Sequence, residues 1–251
     1  MQLHEEPIRR AVGVSPSRHA PAQKPLLHVP EEDHLISSLK EMCNLEQELE
    51  HAKTALTMKN DFNLPDQFSI FDPSRRGVIG VNDIREGLSA IGVYPTGEEI
   101  ELFMTRYDKN GDRRLNFNEF AEAYCPIDGY YAHLLNRRQS NGRAPLYRRD
   151  DCFLQDTQLE HRNVWRVHFK VECDVEAIRQ KLAAAPCFNV FEAFNCMDLN
   201  DSGNIDASEV RRMLESRGFS VTGKEVNDLV HKFDSNKSGR ISYAEVSNFF
   251  Q

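Results

Sequence analysis

Three stretches of this 251-residue chain place oxygen-bearing side chains at alternate positions around a turn. In DLNDSGNIDASE, Asp198, Asn200, Ser202, Asp206 and Glu209 hold the first, third, fifth, ninth and twelfth places, with Gly203 at the sixth. That spacing wraps alternate side chains around one point, toward which a closing glutamate can turn both its oxygens. The chemistry it suits is coordination of a hard divalent cation such as calcium, which takes about six to eight oxygens. Glycine at the sixth place lets the backbone turn sharply, and the seventh residue, Asn204, contributes only its backbone carbonyl.

The same reading fits DSNKSGRISYAE, where Asp234, Asn236, Ser238, Ser242 and Glu245 supply oxygens, Gly239 turns and Arg240 offers its carbonyl. It has two carboxylates where the preceding loop has three, so weaker binding is expected. DKNGDRRLNFNE supplies Asp108, Asn110, Asp112, Asn116 and Glu119, with the carbonyl of Arg114. Its departure is Arg113 at the turning place, where a left-handed side chain costs roughly 1–2 kcal/mol and softens binding. A fourth stretch, DPSRRGVIGVND, keeps Asp72, Ser74 and a closing Asp83. Arg76, however, puts a fixed positive charge at its fifth place, Gly80 brings no side chain at the ninth, and Asp83 is one methylene shorter than glutamate. This loop is expected to be free of metal while Gly77 and Ile79 preserve its turn and its pairing.

The elements that must hold these loops repeat as well. Asp72 to Asp108 spans 36 residues, Asp198 to Asp234 spans 36, and the two pairs are offset by 126. IGVYPTGEEIELF aligns at that offset with RGFSVTGKEVNDL, and each carries a Thr-x-x-Glu capping box, Thr96 with Glu99 and Thr222 with Glu225. Apolar residues at helical spacing flank the loops, as in FNVFEAFNCM and VRRMLES. These residues resemble the EF-hand superfamily that includes calmodulin. The resemblance implies an all-α fold of four helix-loop-helix units in two paired lobes, binding calcium at up to three sites; the long helical insert that joins the lobes here departs from the commonest family pattern. It also implies short two-stranded ribbons between paired loops, with Ile79 opposite Leu115 and Ile205 opposite Ile241. Magnesium competes for such oxygen sites.

Outside the hands, residues 1–30 are proline-rich and basic, with Arg9, Arg10, Arg18 and Lys24, and read as a tail disordered on its own that could order on a partner. Residues 31–60 read as an amphipathic helix with Leu35, Leu39, Met42, Leu49 and Leu56 on one stripe. Glu46 and Lys53 interrupt that stripe, which favours packing on the first lobe over a coiled coil. The first hand pair occupies 61–124, an insert 125–187, and the second pair 188–251. The first part of the insert carries five arginines from Arg137 to Arg149 beside Tyr130, Tyr131 and Tyr147. They could contact phosphate or acidic surface, or simply balance the acidic lobes, and the second reading is favoured. In its second part Val164, Val167, Val171, Val175, Ile178 and Leu182 form a helical seam, while Trp165 to Val175 also alternates as a strand would. Helical spacing runs on past the alternation and no strand stands nearby to pair with it, so a helix is expected, packed on a lobe or on the 31–60 helix.

Net charge of −8 disfavours a nucleic-acid partner. No apolar run approaches the roughly 20 residues of a membrane span, and six scattered cysteines read as reduced thiols, so a cytoplasmic address is expected. No nucleophile elbow, phosphate loop or zinc signature points to an enzyme. The expected role is a calcium-responsive adaptor or sensor for another protein, with Met197, Met213, Phe191, Phe194, Phe233, Phe249 and Phe250 as candidates for an opened groove. The alternative is a structural component of a cytoskeletal assembly with a partner such as tubulin, because RRDDCF and WRVHFKVE look similar to EF-hand proteins of cilia and flagella in protists. Calcium buffering ranks below both, and nothing requires self-association.

Overall fold

The computed structural model describes residues 27–250, so all but the last four residues of the 1–30 tail lie outside the described part. A long helix α1 (Val29–Thr57) opens it, and the first hand pair follows as α2 (Leu64–Phe71), β1 (Val78–Gly80), α3 (Val81–Ile91), α4 (Gly97–Tyr107), β2 (Arg114–Asn116) and α5 (Phe117–Glu122). A short α6 (Gly129–Asn136) and a second long helix α7 (Gln155–Ala183) lead to the second pair. That pair consists of α8 (Val190–Met197), β3 (Asn204–Ile205), α9 (Ala207–Ser216), α10 (Gly223–Phe233), β4 (Ile241–Ser242) and α11 (Tyr243–Phe250). The two ribbons pair antiparallel with Ile79 opposite Leu115 and Ile205 opposite Ile241, as the apolar eighth places require.

Local chemistry explains where these helices begin and end. Asn63 and Asn189 cap α2 and α8 by accepting backbone N–H bonds. Thr96 and Glu99, like Thr222 and Glu225, close the expected capping boxes on α4 and α10. Gly92 ends α3 at φ 84°, a conformation that a side chain resists. Gly87 answers to a different need, because a Cβ there would sit 2.4 Å from the ring of Phe71.

The segment Trp165–Val175 is helical, and α7 packs chiefly along α1. The pair runs antiparallel: Ala52 and Leu56 near the end of α1 join Val164, Trp165 and Phe169 near the start of α7 in the core of the first lobe. Leu35, Ile36, Leu39, Met42 and Leu49 of α1 join Val171, Val175, Ile178 and Leu182 of α7 in the core of the second. One expectation is corrected here. The leading helix packs over most of its length on the second lobe and α7, not on the first lobe, because its apolar stripe is longer than one lobe can cover.

Both long helices contain 29 residues, and Val29 and Gln155 are separated by the same 126 residues as the loops. The helix of the 125–187 segment is therefore the counterpart of α1, and each helix gives its first half to the lobe of the other half-chain. The match reaches single residues. Glu50 pairs with Lys53 at 3.1 Å, and their counterparts Glu176 and Arg179 pair at 2.6 Å.

Glu46 and Lys53, the two interruptions of the α1 stripe, are buried at 1% and 4% exposure. Glu46 meets Arg106 of α4 at 2.6 Å and Lys232 of α10 at 3.0 Å. Glu172 of α7 binds the same two bases, Arg106 directly and Lys232 at 3.4 Å. Burial alone would raise the Glu46 carboxyl, yet Arg106 and Lys232 hold it far below the usual range. Asp228 of α10 lies nearby without that support: it is buried, its Oδ2 has no hydrogen-bond partner, and burial together with Glu50 pushes its pKa up to about 6.

Two outcomes follow for stability. Glu172→Ala leaves two part-buried bases with one buried acid and should cost about 3 kcal/mol in urea unfolding, whereas the charge-balanced pair Glu46→Gln with Lys232→Met should stay within about 1.5 kcal/mol of wild type. Asp228 binds its proton more tightly folded than unfolded, so its contribution is present at low pH and lost as pH rises through about 6. Asp228→Asn should therefore be more stable than wild type by about 2 kcal/mol at pH 7, and the difference should shrink toward pH 4. Unfolding curves across that pH range measure it.

Candidate metal centres

Each loop starts where an incoming helix ends, and in each the first aspartate gathers backbone amides. Asp198 accepts from Ser202 N and Gly203 N, both at 2.9 Å. Asp234 accepts from Ser238 N at 2.9 Å and Gly239 N at 2.6 Å. These bonds curl the backbone so that the following odd places turn inward. Gly203 and Gly239 both sit at φ 79°, and Asp201 and Lys237 at φ 59° precede them by two residues.

In the Asp198 loop, Ser202 Oγ donates to the carbonyl of Asn204 at 2.8 Å, which brings the fifth and seventh donors together. Glu209 reaches across the loop, its Oε1 accepting from Asn200 N at 3.2 Å and its Oε2 from Asp206 N at 3.0 Å. Asp206 also caps α9. The Asp234 loop repeats this arrangement with Ser238 Oγ on the carbonyl of Arg240 at 3.0 Å. Its Glu245 accepts from Asn236 Nδ2 at 3.1 Å and Ser242 N at 2.8 Å.

The Asp108 loop keeps the same closure by another route. Its glycine, Gly111, stands at the fourth place with φ 72°, and Arg113 takes the sixth at φ 60°. Asp108 accepts from Gly111 N at 2.8 Å and Arg113 N at 2.7 Å, and the strained arginine is tied outward to Glu101 at 3.0 Å. Asn110 and Asp112 accept the amides of Asp112 and Arg114, each at 2.8 Å, and Glu119 accepts from Asn116 N at 3.0 Å.

The Asp72 loop answers why its lost ligands do not unravel it. Asp72 still accepts from Arg76 N at 2.9 Å and Gly77 N at 2.7 Å, and Asp83 from Gly80 N at 2.8 Å. Arg76 then turns its guanidinium inward, 2.6 Å from Asp83 and 3.9 Å from Asp72, joining the first and twelfth carboxylates. That hydrogen bond and charge hold the guanidinium above its ordinary pKa. Ser74 stays exposed. The sequence marks Arg76 as a positive charge in the wrong place; only the fold shows it bridging the first and twelfth carboxylates of its loop.

This contrast tests whether calcium fits the other three loops. Glu119, Glu209 and Glu245 are buried carboxylates, and among the described residues none is paired with a side-chain cation. A buried carboxylate without a compensating charge is costly, and a divalent ion on Asn, Ser and carbonyl oxygens would supply it. Among the described residues no three His, Cys, Asp or Glu side chains already converge on one point, so the loops would draw in around the ion.

The remaining candidates of the sequence have structural work. Arg138 donates to the carbonyls of Lys59 at 2.7 Å and Phe62 at 3.0 Å, Arg149 to that of Ile70 at 3.0 Å, and Arg148 to that of Ile91. They stitch the loop after α6 onto helix ends of the first lobe, where positive charge meets unsatisfied carbonyls. Of the five, Arg137 and Arg143 remain exposed. Of the groove candidates, Met197, Met213, Phe194 and Phe233 are buried against the long helices, Phe249 and Phe250 are half-buried, and Phe191 is exposed. None of the six cysteines is joined in a disulfide among the described residues. His161 and His168 are core residues, and burial pushes His161 down to about 3.

A family model described as an EF-hand domain pair matches residues 61–125 and 188–251. The chain is 22% identical over 180 residues to putative calmodulin-like protein 6 of Oryza sativa subsp. japonica, covering 72% of this chain and 76% of that one. It is 26% identical over 191 residues to probable calcium-binding protein CML30 of the same plant, covering 74% and 70%. A match of 22% to calcium-dependent protein kinase 7 of Arabidopsis thaliana covers 76% of this chain but 26% of the kinase.

Replacing the internal cation should turn the Asp72 loop toward metal. Arg76→Asp combined with Gly80→Asp and Asp83→Glu restores oxygens at the fifth, ninth and twelfth places. Isothermal calorimetry should then count one more calcium than in wild type. An unchanged stoichiometry would mean that the loop backbone, not Arg76, bars the ion.

Proposed function

We propose that this chain, which belongs to the EF-hand calcium-binding superfamily, is a calcium-responsive adaptor that keeps its own helices in its lobes until calcium and a protein partner loosen them. Calcium is its ion, and Asp198–Glu209, Asp234–Glu245 and Asp108–Glu119 are the loops assigned to hold it. The observation that carries the reading is the filling of both lobes. Trp165 of α7 is fully buried in the first lobe, with ring centroids 4.7 Å from Phe103, 5.3 Å from Phe71 and 5.9 Å from Tyr124. Leu35, Leu39 and Met42 of α1 lie in the core of the second lobe with Met197, Met213 and Phe194.

An apolar face already occupied by an amphipathic helix of the same chain has the chemistry to take such a helix from another protein. Calcium can favour that exchange only by binding the loosened state better than the packed one. No membrane-spanning helix occurs among the described residues. A structural role in a larger assembly is the second reading, favoured by the same filled lobes if they never open. The arginine cluster adds no weight to an acidic, tubulin-like partner, since Arg138, Arg148 and Arg149 are spent on helix ends.

The chain has one tryptophan, so its emission reports the first lobe alone. Calcium titration should shift Trp165 emission to the red together with binding of a hydrophobic dye, and Glu119→Gln should remove the Trp165 response. Calorimetric calcium binding with neither optical change would sink the adaptor reading in favour of the structural one.

A further inference from the structure

We propose that calcium binding in the two lobes is linked through Glu46, Arg106, Glu172 and Lys232, so that filling one lobe weakens binding in the other. The inference rests on the reading that calcium occupies the loops beginning at Asp108 and Asp234. Arg106 lies two residues before Asp108 on the last turn of α4, and Lys232 two residues before Asp234 on the last turn of α10. Each base is therefore carried by the helix that delivers the first oxygen of its loop.

The four residues are two equivalent pairs. Glu46 and Glu172 are 126 residues apart, as are Arg106 and Lys232, and each base touches both acids. The cluster is neutral as a whole, and at exposures of 1% for Glu46, 8% for Glu172 and 7% for the Lys232 side chain it is poorly screened by solvent. Two bases bound to the same carboxylates repel one another, and each loosens the other's hold.

A base drawn away as its loop closes on calcium leaves its rival in sole possession of both carboxylates. The helix bearing that rival is then held more firmly, and its own loop must break a stronger contact to fill. A cleft of about 670 Å³ between the lobes, lined by Arg106, Lys109, Glu172, Lys232, Asp234 and Glu245, gives these helix ends space in which to shift. Lys237, inside the Asp234 loop, also reaches Glu122 of the first lobe at 3.3 Å. That pair is exposed and adds little.

The test uses full-length protein and the Trp165 signal of the first lobe. Glu209→Gln with Glu245→Gln removes the closing ligand from both second-lobe loops and lets the first lobe titrate alone. Its half-saturating calcium concentration should fall at least about 5-fold below that of wild type. The fall should vanish when Glu46→Gln and Lys232→Met are added, which leaves Arg106 and Glu172 as a single pair. If circular dichroism finds that background unfolded, Arg106→Met with Glu172→Gln leaves the converse pair and replaces it. First-lobe curves that superimpose, or a shift to higher calcium, would overturn the linkage while leaving the adaptor reading intact. Should both Trp165 and the hydrophobic dye stay silent, the adaptor reading fails by itself and calorimetric isotherms of the same variants decide the linkage. Absence of any first-lobe calcium heat would remove both.

Discussion

The meeting of Glu46, Arg106, Glu172 and Lys232 constrains everything around it. Each charge comes from a different element, two from the long helices and one from each lobe, so the cluster is neutral only when all four elements are docked. Taking these groups out of water is costly, and an apolar set of the same shape could be at least as stable. What the ions add is register. An antiparallel pair of apolar helices could slide by a turn and still bury leucines, but a slide of one turn would leave two buried acids and two part-buried bases without partners.

Around that point the chain behaves as two copies of one unit wrapped on each other. A unit of one long helix and one hand pair has a lobe whose apolar face its own helix covers only in part. The first half of each long helix completes the other lobe, and the aromatic cage around Trp165 in one lobe corresponds to the aliphatic filling around Leu39 in the other. The repeats have diverged most where their surroundings differ. The first lobe is bound on its outside by the arginines after α6, which cap helix ends that would otherwise meet only water.

The four loops separate two jobs that a calcium loop performs. Turning the backbone is done by backbone N–H groups that donate to the first carboxylate and the twelfth, and it persists in all four, even where glycine has moved from the sixth place to the fourth in the Asp108 loop. Neutralising the carboxylates is a separate task, met by Arg76 in the Asp72 loop, whereas among the described residues Glu119, Glu209 and Glu245 pair with no side-chain cation. The Asp72 loop thus keeps its turn with a positive charge of its own between its first and twelfth carboxylates.

Much of this was legible in the residues themselves. Loop spacing and capping boxes depend on contacts within a few residues, so the helices and the turns could be read directly, while the pairings Ile79–Leu115 and Ile205–Ile241 followed from the family resemblance. The charges were harder. Glu46 and Lys53 look like faults in an apolar stripe because the groups that neutralise them lie far off in the chain: Arg106 is 60 residues from Glu46. The offset of 126 between Glu46 and Glu172 was there to be found, but two glutamates in surface-rich helices carry no signal until their partners are known. The sequence by itself determined the hands and the donor types that each loop offers, since local hydrogen bonding and residue chemistry decide these. Only the tertiary structure decided that each long helix serves both lobes, that Arg76 joins the first and twelfth carboxylates of its loop, and that four distant charges close on one another. These depend on which surfaces meet, and burial and charge balance act between surfaces, not along the chain.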